Sequence, residues 1–169
     1  MKILLFSLFI FLSLNSLAQD SLSFKEIAGK WFVTQSNFPM WQKGRKTNPS
    51  FVYDPVLKKG DTVMVDKVHF MKNGREHTYL GIDYSLNESN TSFIWKGKGA
   101  LCFMKSKWEI VYISPSATWG IVHFEKTLFS PEGNDVISRN KHLTEKQLKD
   151  IEAKVKELGL VGLEVIGQE

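Results

Sequence analysis

The sequence predicts an all-β protein, an eight-stranded antiparallel up-and-down barrel with one C-terminal α-helix packed outside it. Three observations support this fold class: eight short segments rich in β-branched and aromatic residues, turn-like connections between them, and an abrupt change to helical periodicity after Arg139. Short connections favour antiparallel neighbours, and closing the sheet into a barrel removes its exposed edges. A β-sandwich, the alternative, needs longer crossovers than this chain supplies.

The N-terminal segment has the pattern of a secretory signal peptide. Lys2 precedes a long apolar run that ends in small residues at Ser16 and Ala18. A membrane anchor is the alternative, but polar residues interrupt the run and no basic cluster follows it. We therefore expect residues 1–18 to be removed, residues 19–169 to form one domain, and the protein to be secreted or periplasmic.

Composition restricts the kinds of partner that the protein can have. The net charge of +4 comes from 22 basic and 18 acidic residues that are spread along the chain, so we expect no nucleic acid partner. Cys102 is the only cysteine, which rules out a disulfide within one chain. Aromatic residues make up 12 % of the sequence, enough to line a cavity.

Turn residues separate the candidate strands. Asn73-Gly74 suits a type I′ hairpin turn, and Ser114-Pro115 and the segment 131–134 also carry turn chemistry. The candidate strands are residues 30–37, 48–55, 62–71, 76–86, 91–97, 107–114, 118–126 and 134–139.

The C-terminal segment predicts a helix from Thr144 to Leu158. Apolar residues recur along one stripe, so this face must pack against the outside of the sheet. Thr144 and Gln147 have the spacing of a capping box, and Gly159 is a suitable C-terminal cap.

Two distant motifs resemble the lipocalin family. Gly29-Lys30-Trp31 resembles the Gly-x-Trp signature that opens the lipocalin barrel, and Arg139, just before the helix, resembles the arginine at the end of the last barrel strand. The likeness covers the whole mature chain and is closest in style to small secreted bacterial lipocalins. It implies that Trp31 plugs the closed end of the barrel and that Arg139 lies across its ring. Such a contact contributes about 0.5–2 kcal/mol.

The resemblance has one clear departure. The middle motif of the family, Thr-Asp-Tyr between the sixth and seventh strands, is replaced here by the segment 114–119, Ser-Pro-Ser-Ala-Thr-Trp. The hydrogen bonds that the aspartate would supply at the closed end must therefore come from elsewhere.

The resemblance also places the first loop, the fifth loop and the Asn73-Gly74 hairpin at the open end. The first loop carries Phe38, Met40 and Trp41, and the fifth carries apolar residues 101–104 between lysines. Large apolar groups in loops cover a cavity or meet a partner. We therefore expect a carrier of a small hydrophobic ligand, such as a fatty acid, lysolipid, isoprenoid or pigment. The alternative is that the loops fold inward and bury one another.

The interior is expected to be apolar and aromatic. By analogy with the family, Trp119 and Ile121 face the helix and the residues of opposite phase face the cavity. The candidate ligand-binding residues are Phe38, Met40, Trp41, Phe51, Tyr53, Ile82, Tyr84, Trp95, Val111, Ile113, Val122 and Phe124.

Catalysis and cofactor binding have weak sequence support. A nucleophilic Cys102 acting on a bound lipid is the enzymatic alternative, but no histidine is adjacent to it. A barrel histidine, His69 or His77, is the candidate for axial haem ligation. No metal-ligand spacing is present, and we expect no catalytic residue, no metal and no cofactor.

The same mouth loops carry basic residues. Attraction to an anionic membrane is worth about 1 kcal/mol per basic residue near the surface, and Trp41, Phe103 and Met104 are candidates to enter the interface. We expect weak, salt-sensitive membrane contact. The alternative is that lysines flank these exposed loops for solubility alone. The basic residues concerned are Lys43, Arg45, Lys46, Lys96, Lys98, Lys105 and Lys107.

Overall fold

A computed structural model describes residues 21–168 of the chain, so the predicted signal peptide lies outside the described residues. The predicted fold class is confirmed, since eight antiparallel strands form a closed barrel with the C-terminal helix outside it. The barrel strands are β1 (Gly29–Ser36), β2 (Thr47–Lys58), β3 (Asp61–Lys72), β4 (Arg75–Ser85), β5 (Ser92–Gly97), β6 (Lys105–Ile113), β7 (Trp119–Phe124) and β8 (Gly133–Ser138). The remaining elements are α1 (Phe24–Ile27), α2 (Pro39–Gln42), a 3₁₀ turn (Gly99–Leu101), α3 (Glu145–Glu157) and β9 (Glu164–Val165).

Strand β1 closes the barrel because it pairs on both sides. Its first half pairs with β2, where Trp31 lies opposite Phe51, and its second half pairs with β8, where Val33 lies opposite Ile137. From β2 to β8 each strand pairs with the next one along the chain. The short β9 adds to the outer end of β1.

The hairpin between β3 and β4 forms as predicted. Asn73 and Gly74 have φ values of 53° and 71°, the left-handed conformation that a type I′ turn requires at both central positions. This turn fixes the register of the two strands, which runs from Lys72 opposite Arg75 to Met64 opposite Asp83.

Helix α3 begins and ends as the sequence predicts. The Thr144 hydroxyl accepts from the backbone N–H of Gln147, and the Gln147 side chain accepts from the backbone N–H of Thr144. Beyond the helix, the N–H of Leu160 donates to the carbonyl of Val155, which satisfies one of the last-turn carbonyls. The helix packs on the outside of the barrel, where Ile151 is fully buried against Trp119, Ile121 and neighbouring residues. Trp119 and Ile121 therefore face the helix, as predicted.

The closed end is held by the predicted tryptophan and arginine. Trp31 is 1 % exposed and its Nε1 donates to the carbonyl of Ile27 at 2.7 Å. The Arg139 guanidinium lies over the Trp31 ring, with its carbon 3.5 Å from the ring centroid. Gly29 has a φ of +92°, and a Cβ there would lie 3.2 Å from Nη1 of Arg139. The glycine of the motif is thus required both by the backbone and by the arginine.

The segment that replaces the missing middle motif supplies its own hydrogen bonds. Oγ of Ser114 accepts from the backbone N–H groups of Thr118 and Trp119 at 3.1 and 3.2 Å. The carbonyl of Ala117 accepts from Nε of Arg139 at 3.4 Å. A serine and a backbone carbonyl therefore order the β6–β7 turn without an aspartate.

Within residues 21–168, no helix is both long enough and apolar enough to span a bilayer.

Candidate ligand-binding site

The open end of the barrel contains a cavity of about 450 Å³, within the size range of small-molecule sites. Three loops surround its entrance: β1–β2 with α2, β5–β6 with the 3₁₀ turn, and β7–β8. The first two were placed at the mouth from the sequence. The lining residues are Phe38, Met40, Trp41, Lys46, Phe51, Asp66, Val68, Tyr79, Trp95, Leu101, Phe103, Met104, Lys105, Ser106, Trp108, Phe124, Glu125, Thr127, Phe129, Ser130 and Asp135.

The structure places nine of the twelve candidate residues in or around the barrel interior. Those that line the cavity are Phe38, Met40, Trp41, Phe51, Trp95 and Phe124. Tyr53, Ile113 and Val122 lie deeper, around a void of about 10 Å³ that also touches Trp31. Their contribution to ligand binding stays a prediction.

Ile82 and Tyr84 do not face the interior, and the inward phase expected for β4 is wrong. Gly81 and Asp83 are the buried residues of this strand, so their neighbours point outward. Tyr84 lies on the outer surface, where its hydroxyl accepts from Nζ of Lys58 at 2.9 Å. Both faces of β4 carry apolar residues, and sequence alternation therefore selected the wrong one.

Val111 also lies on the outside, because β6 contains a bulge. Ile110 pairs with Val122 and Tyr112 pairs with Ile121, which leaves Val111 as an extra residue between them. Val111 packs with the residues beneath α3, whereas Ile113 returns to the interior. Strict alternation along β6 places Val111 on the same face as Ile113, so the prediction that Val111 faces the interior is wrong.

An aromatic stack forms the floor of the cavity. The Trp108 ring stacks on Phe93 with a centroid distance of 4.6 Å and on Tyr53 at 5.4 Å. Its Nε1 donates to Oδ1 of Asp83 at 2.9 Å. This stack separates the mouth cavity from the closed end that Trp31 fills.

Trp95 depends on the absence of a side chain at Gly81. A Cβ at Gly81 would lie 2.1 Å from Nε1 of Trp95, so the indole rests directly on the backbone of β4. Gly81 was not identified from the sequence, where a glycine within a strand signals a close approach without showing what approaches.

Helix α2 folds over the mouth and covers part of the cavity. Trp41 is 4 % exposed, and its ring packs against Phe70 at a centroid distance of 6.1 Å. Trp41 therefore forms cavity wall, and the expectation that it enters a membrane is wrong. This loop folds inward, as the alternative interpretation expected, but a cavity remains beneath it.

Lys46 also turns inward at the mouth. Its ammonium lies 4.5 Å from the ring centroid of Phe70, 4.7 Å from that of Tyr79 and 5.6 Å from that of Trp41. Nζ also donates to the Tyr79 hydroxyl at 3.3 Å. The wall of the cavity thus already binds one ammonium group, supplied by the chain itself.

Carboxyl groups in the interior are the main feature that sequence reasoning missed. Asp66 and Asp135 line the cavity and are 6 % and 1 % exposed, and Asp83 lies below them, fully buried. Within residues 21–168, one oxygen of each carboxyl group is buried without a hydrogen-bond partner. Asp66 alternates with the apolar inward residues Met64 and Val68, but Asp135 directly follows Asn134, so strand alternation was only a weak signal for these groups.

Burial shifts the pKa values of these groups upward. Desolvation raises the pKa of Asp135 from 3.8 to about 7, and the polar groups of the Ser36 and Trp41 side chains oppose the shift. Desolvation also raises the pKa of Asp83 to about 7, opposed by the hydrogen bond from Trp108. The pKa of Asp66 is well above its ordinary value because of desolvation and the nearby charge of Asp83.

The rim of the mouth is apolar and exposed. Phe103 and Phe129 are 68 % and 65 % exposed and meet edge to face with a centroid distance of 6.1 Å, and Leu128 is 95 % exposed. We call these three residues the rim patch. Leu128 and Phe129 belong to the β7–β8 loop. The predicted seventh strand, residues 118–126, extends two residues into this loop, because β7 ends at Phe124.

The residues considered for catalysis and for haem ligation lie outside the cavity. Cys102 is exposed on the β5–β6 loop. His69 is on the outer face of β3, where Nδ1 lies 2.9 Å from the Thr78 hydroxyl, and His77 stacks on Phe70 near the mouth. In the part of the chain that the structure describes, no three residues among His, Cys, Asp and Glu are grouped as a metal site.

Comparison with known proteins assigns the class of this barrel. No family model and no curated protein matches the sequence. Among solved structures, lobster apocrustacyanin A1 has a TM-score of 0.63 at 14 % identity, covering 86 % of this chain and 79 % of that chain. The cockroach allergen Per a 4 has a TM-score of 0.66 at 15 % identity, covering 89 % and 90 %. The siderocalin Ex-FABP has a TM-score of 0.63 at 8 % identity, covering 85 % and 95 %.

These neighbours define a class of calyx-shaped β-barrels that are closed at one end and open at the other. The class is the lipocalins, and the chain has the lipocalin fold.

Proposed function

We propose that the protein is a secreted carrier that holds a small hydrophobic ligand in the mouth cavity. The observation that carries this proposal is the cavity of about 450 Å³, whose wall is mostly aromatic and aliphatic. Cavities of this size and lining bury most of the surface of a small apolar molecule. The carrier role of lipocalin neighbours supports the proposal, and the siderocalin Ex-FABP is described as functioning through dual ligand specificities.

Transfer of ligand at a membrane surface is part of this proposal. The rim patch places three exposed apolar side chains around the entrance, so it replaces Trp41 as the candidate membrane contact. Two of the lysines that were expected to meet the membrane contact aromatic rings instead. Lys46 lies over the ring of Phe70 in the cavity wall, and Lys96 lies over the ring of Tyr84 on the outer surface. Lys105 and Lys107 remain exposed on the β6 end of the rim.

Catalysis by Cys102 is not part of the proposal. Cys102 follows the cavity residue Leu101 but is itself exposed and does not line the cavity. We expect Cys102→Ser to leave ligand retention unchanged. A turnover of a peroxide or unsaturated lipid that this variant loses would assign the protein to the enzymes.

A blocking variant tests the proposed site. Val68 lines the cavity, whereas Val65 lies on the outer face of the same strand, opposite Ile82. We expect the neutral fluorophore N-phenyl-1-naphthylamine to bind the parent and Val65→Trp equally, and to bind Val68→Trp at least about tenfold more weakly because the added indole occupies the cavity. Mass spectrometry of an organic extract of the native protein identifies any retained ligand. Equal binding by Val68→Trp would contradict the assignment of the site, and absence of binding by the parent would contradict the carrier role.

A further inference from the structure

Two buried carboxyl groups in the wall of the cavity lack partners for one oxygen each. Asp66 projects from the middle of β3 and Asp135 from β8, and each is more than nine-tenths buried. Their Oδ1 atoms find no hydrogen-bond partner among residues 21–168, although both residues line the cavity. Burying a polar group without a partner is costly, and burying an unpaired charge is more so. A cavity intended only for hydrocarbon would not need either group.

The rest of the wall suits a cation. Aromatic faces attract ammonium groups within about 6 Å of the ring centroid, most strongly where water is excluded. The cavity contains three indoles, those of Trp41, Trp95 and Trp108, together with the rings of Tyr79 and several phenylalanines. Lys46 already places an ammonium over three rings of the same wall.

Charges are distributed unevenly along the depth of the cavity. The lysines that line it lie at the mouth: Lys46 follows α2, and Lys105 is the exposed first residue of β6. Asp66 and Asp135 lie beneath them on the strands. An anionic head group in the deep part would be repelled by the two carboxyl groups, whereas a cationic one would be attracted to them in a region of low effective dielectric constant.

We propose that the cavity binds an organic cation, a primary amine or a quaternary ammonium on an apolar or aromatic body, with its nitrogen in the part of the cavity that Asp66 and Asp135 line. This inference rests on the proposed carrier function and specifies its ligand class. It favours an amine over the fatty acid expected among the hydrophobic ligands. The apolar body of the ligand occupies the space among the rings and the mouth residues Met40, Leu101 and Met104.

Proton release accompanies binding in this scheme. Burial raises the pKa values of Asp66 and Asp135, so part of the empty protein carries protonated carboxyl groups near neutral pH. An ammonium group stabilises the ionised form and displaces those protons into solvent. The other titratable groups that face this region are Tyr53, Tyr79, Asp83, Glu125, Lys46 and Lys105.

Three probes with the same alkyl chain separate charge from hydrophobicity. Calorimetric titration at pH 8 compares dodecylamine, dodecanol and dodecanoic acid, each below its solubility limit or critical micelle concentration. We expect dodecylamine to bind about tenfold or more tightly than dodecanol, and dodecanol more tightly than dodecanoate. Titration of dodecylamine at pH 6.5 in buffers of different ionisation enthalpy should show net proton release.

Isosteric variants assign the preference to the two aspartates. We expect Asp66→Asn and Asp135→Asn each to reduce the preference for dodecylamine over dodecanol by about fivefold or more, with dodecanol binding preserved. Asp54→Asn is the matched control, because Asp54 lies outside the cavity on β2, where its half-exposed side chain pairs with Lys67 at 2.7 Å. Thermal melts establish that each variant is folded. If one of the two variants unfolds, the other still tests the inference, because each aspartate is expected to contribute to the preference separately.

The outcomes distinguish this inference from the proposed function. Tightest binding of dodecanoate, or equal binding of all three probes, would overturn the cation inference and leave the carrier function standing. An unchanged preference in both aspartate variants would also overturn it. Failure of all three probes to bind would overturn both.

Discussion

The guanidinium of Arg139 covers the ring of Trp31 and also ties together the backbone that leads into β1. Its carbon lies 3.5 Å from the ring centroid, and its Nη atoms donate to the carbonyls of Glu26 and Ala28 at 2.7 Å and of Lys30 at 3.2 Å. Burial lowers the pKa of Arg139, which remains charged at physiological pH. One side chain from the end of β8 therefore fixes the start of the barrel.

Removing either member of this pair should destabilise the protein. Trp31→Ala should lower the free energy of unfolding by about 3–5 kcal/mol, because it truncates a fully buried aromatic ring. Arg139→Met should lower it by about 1.5–3 kcal/mol, because it removes charge-assisted hydrogen bonds to several backbone carbonyls. Urea unfolding measures both values. Lys30→Met, a neighbouring exposed cation, is the control and should change little. A Trp31→Ala curve that coincides with the parent would exclude the plug role.

This closed end is the part of the protein that the sequence predicted best. Arg139 lies more than a hundred residues from Gly29 and Trp31, yet each of the three has a role that few other residue types can fill. Helix α3 was equally predictable because its caps and its apolar stripe are local signals. Local chemistry that has a single structural solution can be read from one sequence.

The cavity was predictable only in part. Loop residues such as Trp41 stood out because large apolar groups are unusual there, but whether they face the cavity or the solvent depends on packing across the barrel. Ile82 and Asp83 show the difficulty more sharply, since alternation on β4 allows two phases and hydrophobicity favoured the wrong one. Buried aspartates were passed over because, in a sequence, an inward carboxylate looks like any surface charge.

Stability should fall as the pH rises from acid to neutral, in contrast to most proteins with paired carboxylates. The pKa of Asp135 is 3.8 unfolded and about 7 folded, so the folded state binds more protons between these values. Its contribution is fully present below about pH 4 and is lost as the pH rises through about 7, at about 1.4 kcal/mol per pH unit. Asp135→Asn should therefore flatten the pH dependence and melt above the parent at pH 8. The titratable groups around it are Tyr53, Asp66, Asp83, Glu125, Lys46 and Lys105.

Melting temperatures of the parent and Asp135→Asn between pH 4 and pH 8 measure this effect. The half-exposed Asp54→Asn serves as the control and should follow the parent. Parallel curves for parent and Asp135→Asn would show that the buried carboxyl group does not carry the predicted proton linkage.

Gly81→Ala should reshape the cavity. The new Cβ would lie 2.1 Å from Nε1 and 2.2 Å from Cε2 of Trp95, so the indole must move into the space where ligand is proposed to bind. We expect a loss of about 1–3 kcal/mol in the free energy of unfolding, as for other overpacked cores, together with weaker binding of N-phenyl-1-naphthylamine. Gly167→Ala is the control, because no atom lies within 4 Å of its added Cβ. Binding and stability that both match the parent would show that Trp95 has room to move elsewhere.

The rim patch should mediate weak membrane contact. Vesicle co-sedimentation compares neutral with anionic liposomes at low and high salt. We expect the parent to bind anionic vesicles preferentially at low salt, because basic residues near the surface contribute about 1 kcal/mol each. Leu128→Ala combined with Phe129→Ala should weaken this binding, whereas Leu57→Ala combined with Leu86→Ala, two exposed leucines at strand ends away from the cavity, should not. If the parent sediments with neither vesicle type, the membrane-contact hypothesis is wrong and the β7–β8 loop is better interpreted as a lid over the cavity.

The bulge in β6 has a consequence for how chains of this fold differ in length. Two successive residues, Val111 and Tyr112, share one place in the ladder opposite β7, and both contact the residues beneath α3. Removing Val111 would keep Ile110 opposite Val122 and Ile113 opposite Gly120, so every other side chain would stay on its own side of the wall. The segment between Trp108 and Trp119 can therefore shorten by one residue in evolution while the barrel keeps its shape. Loss of Val111 would change the packing beneath α3 and leave the cavity wall in place.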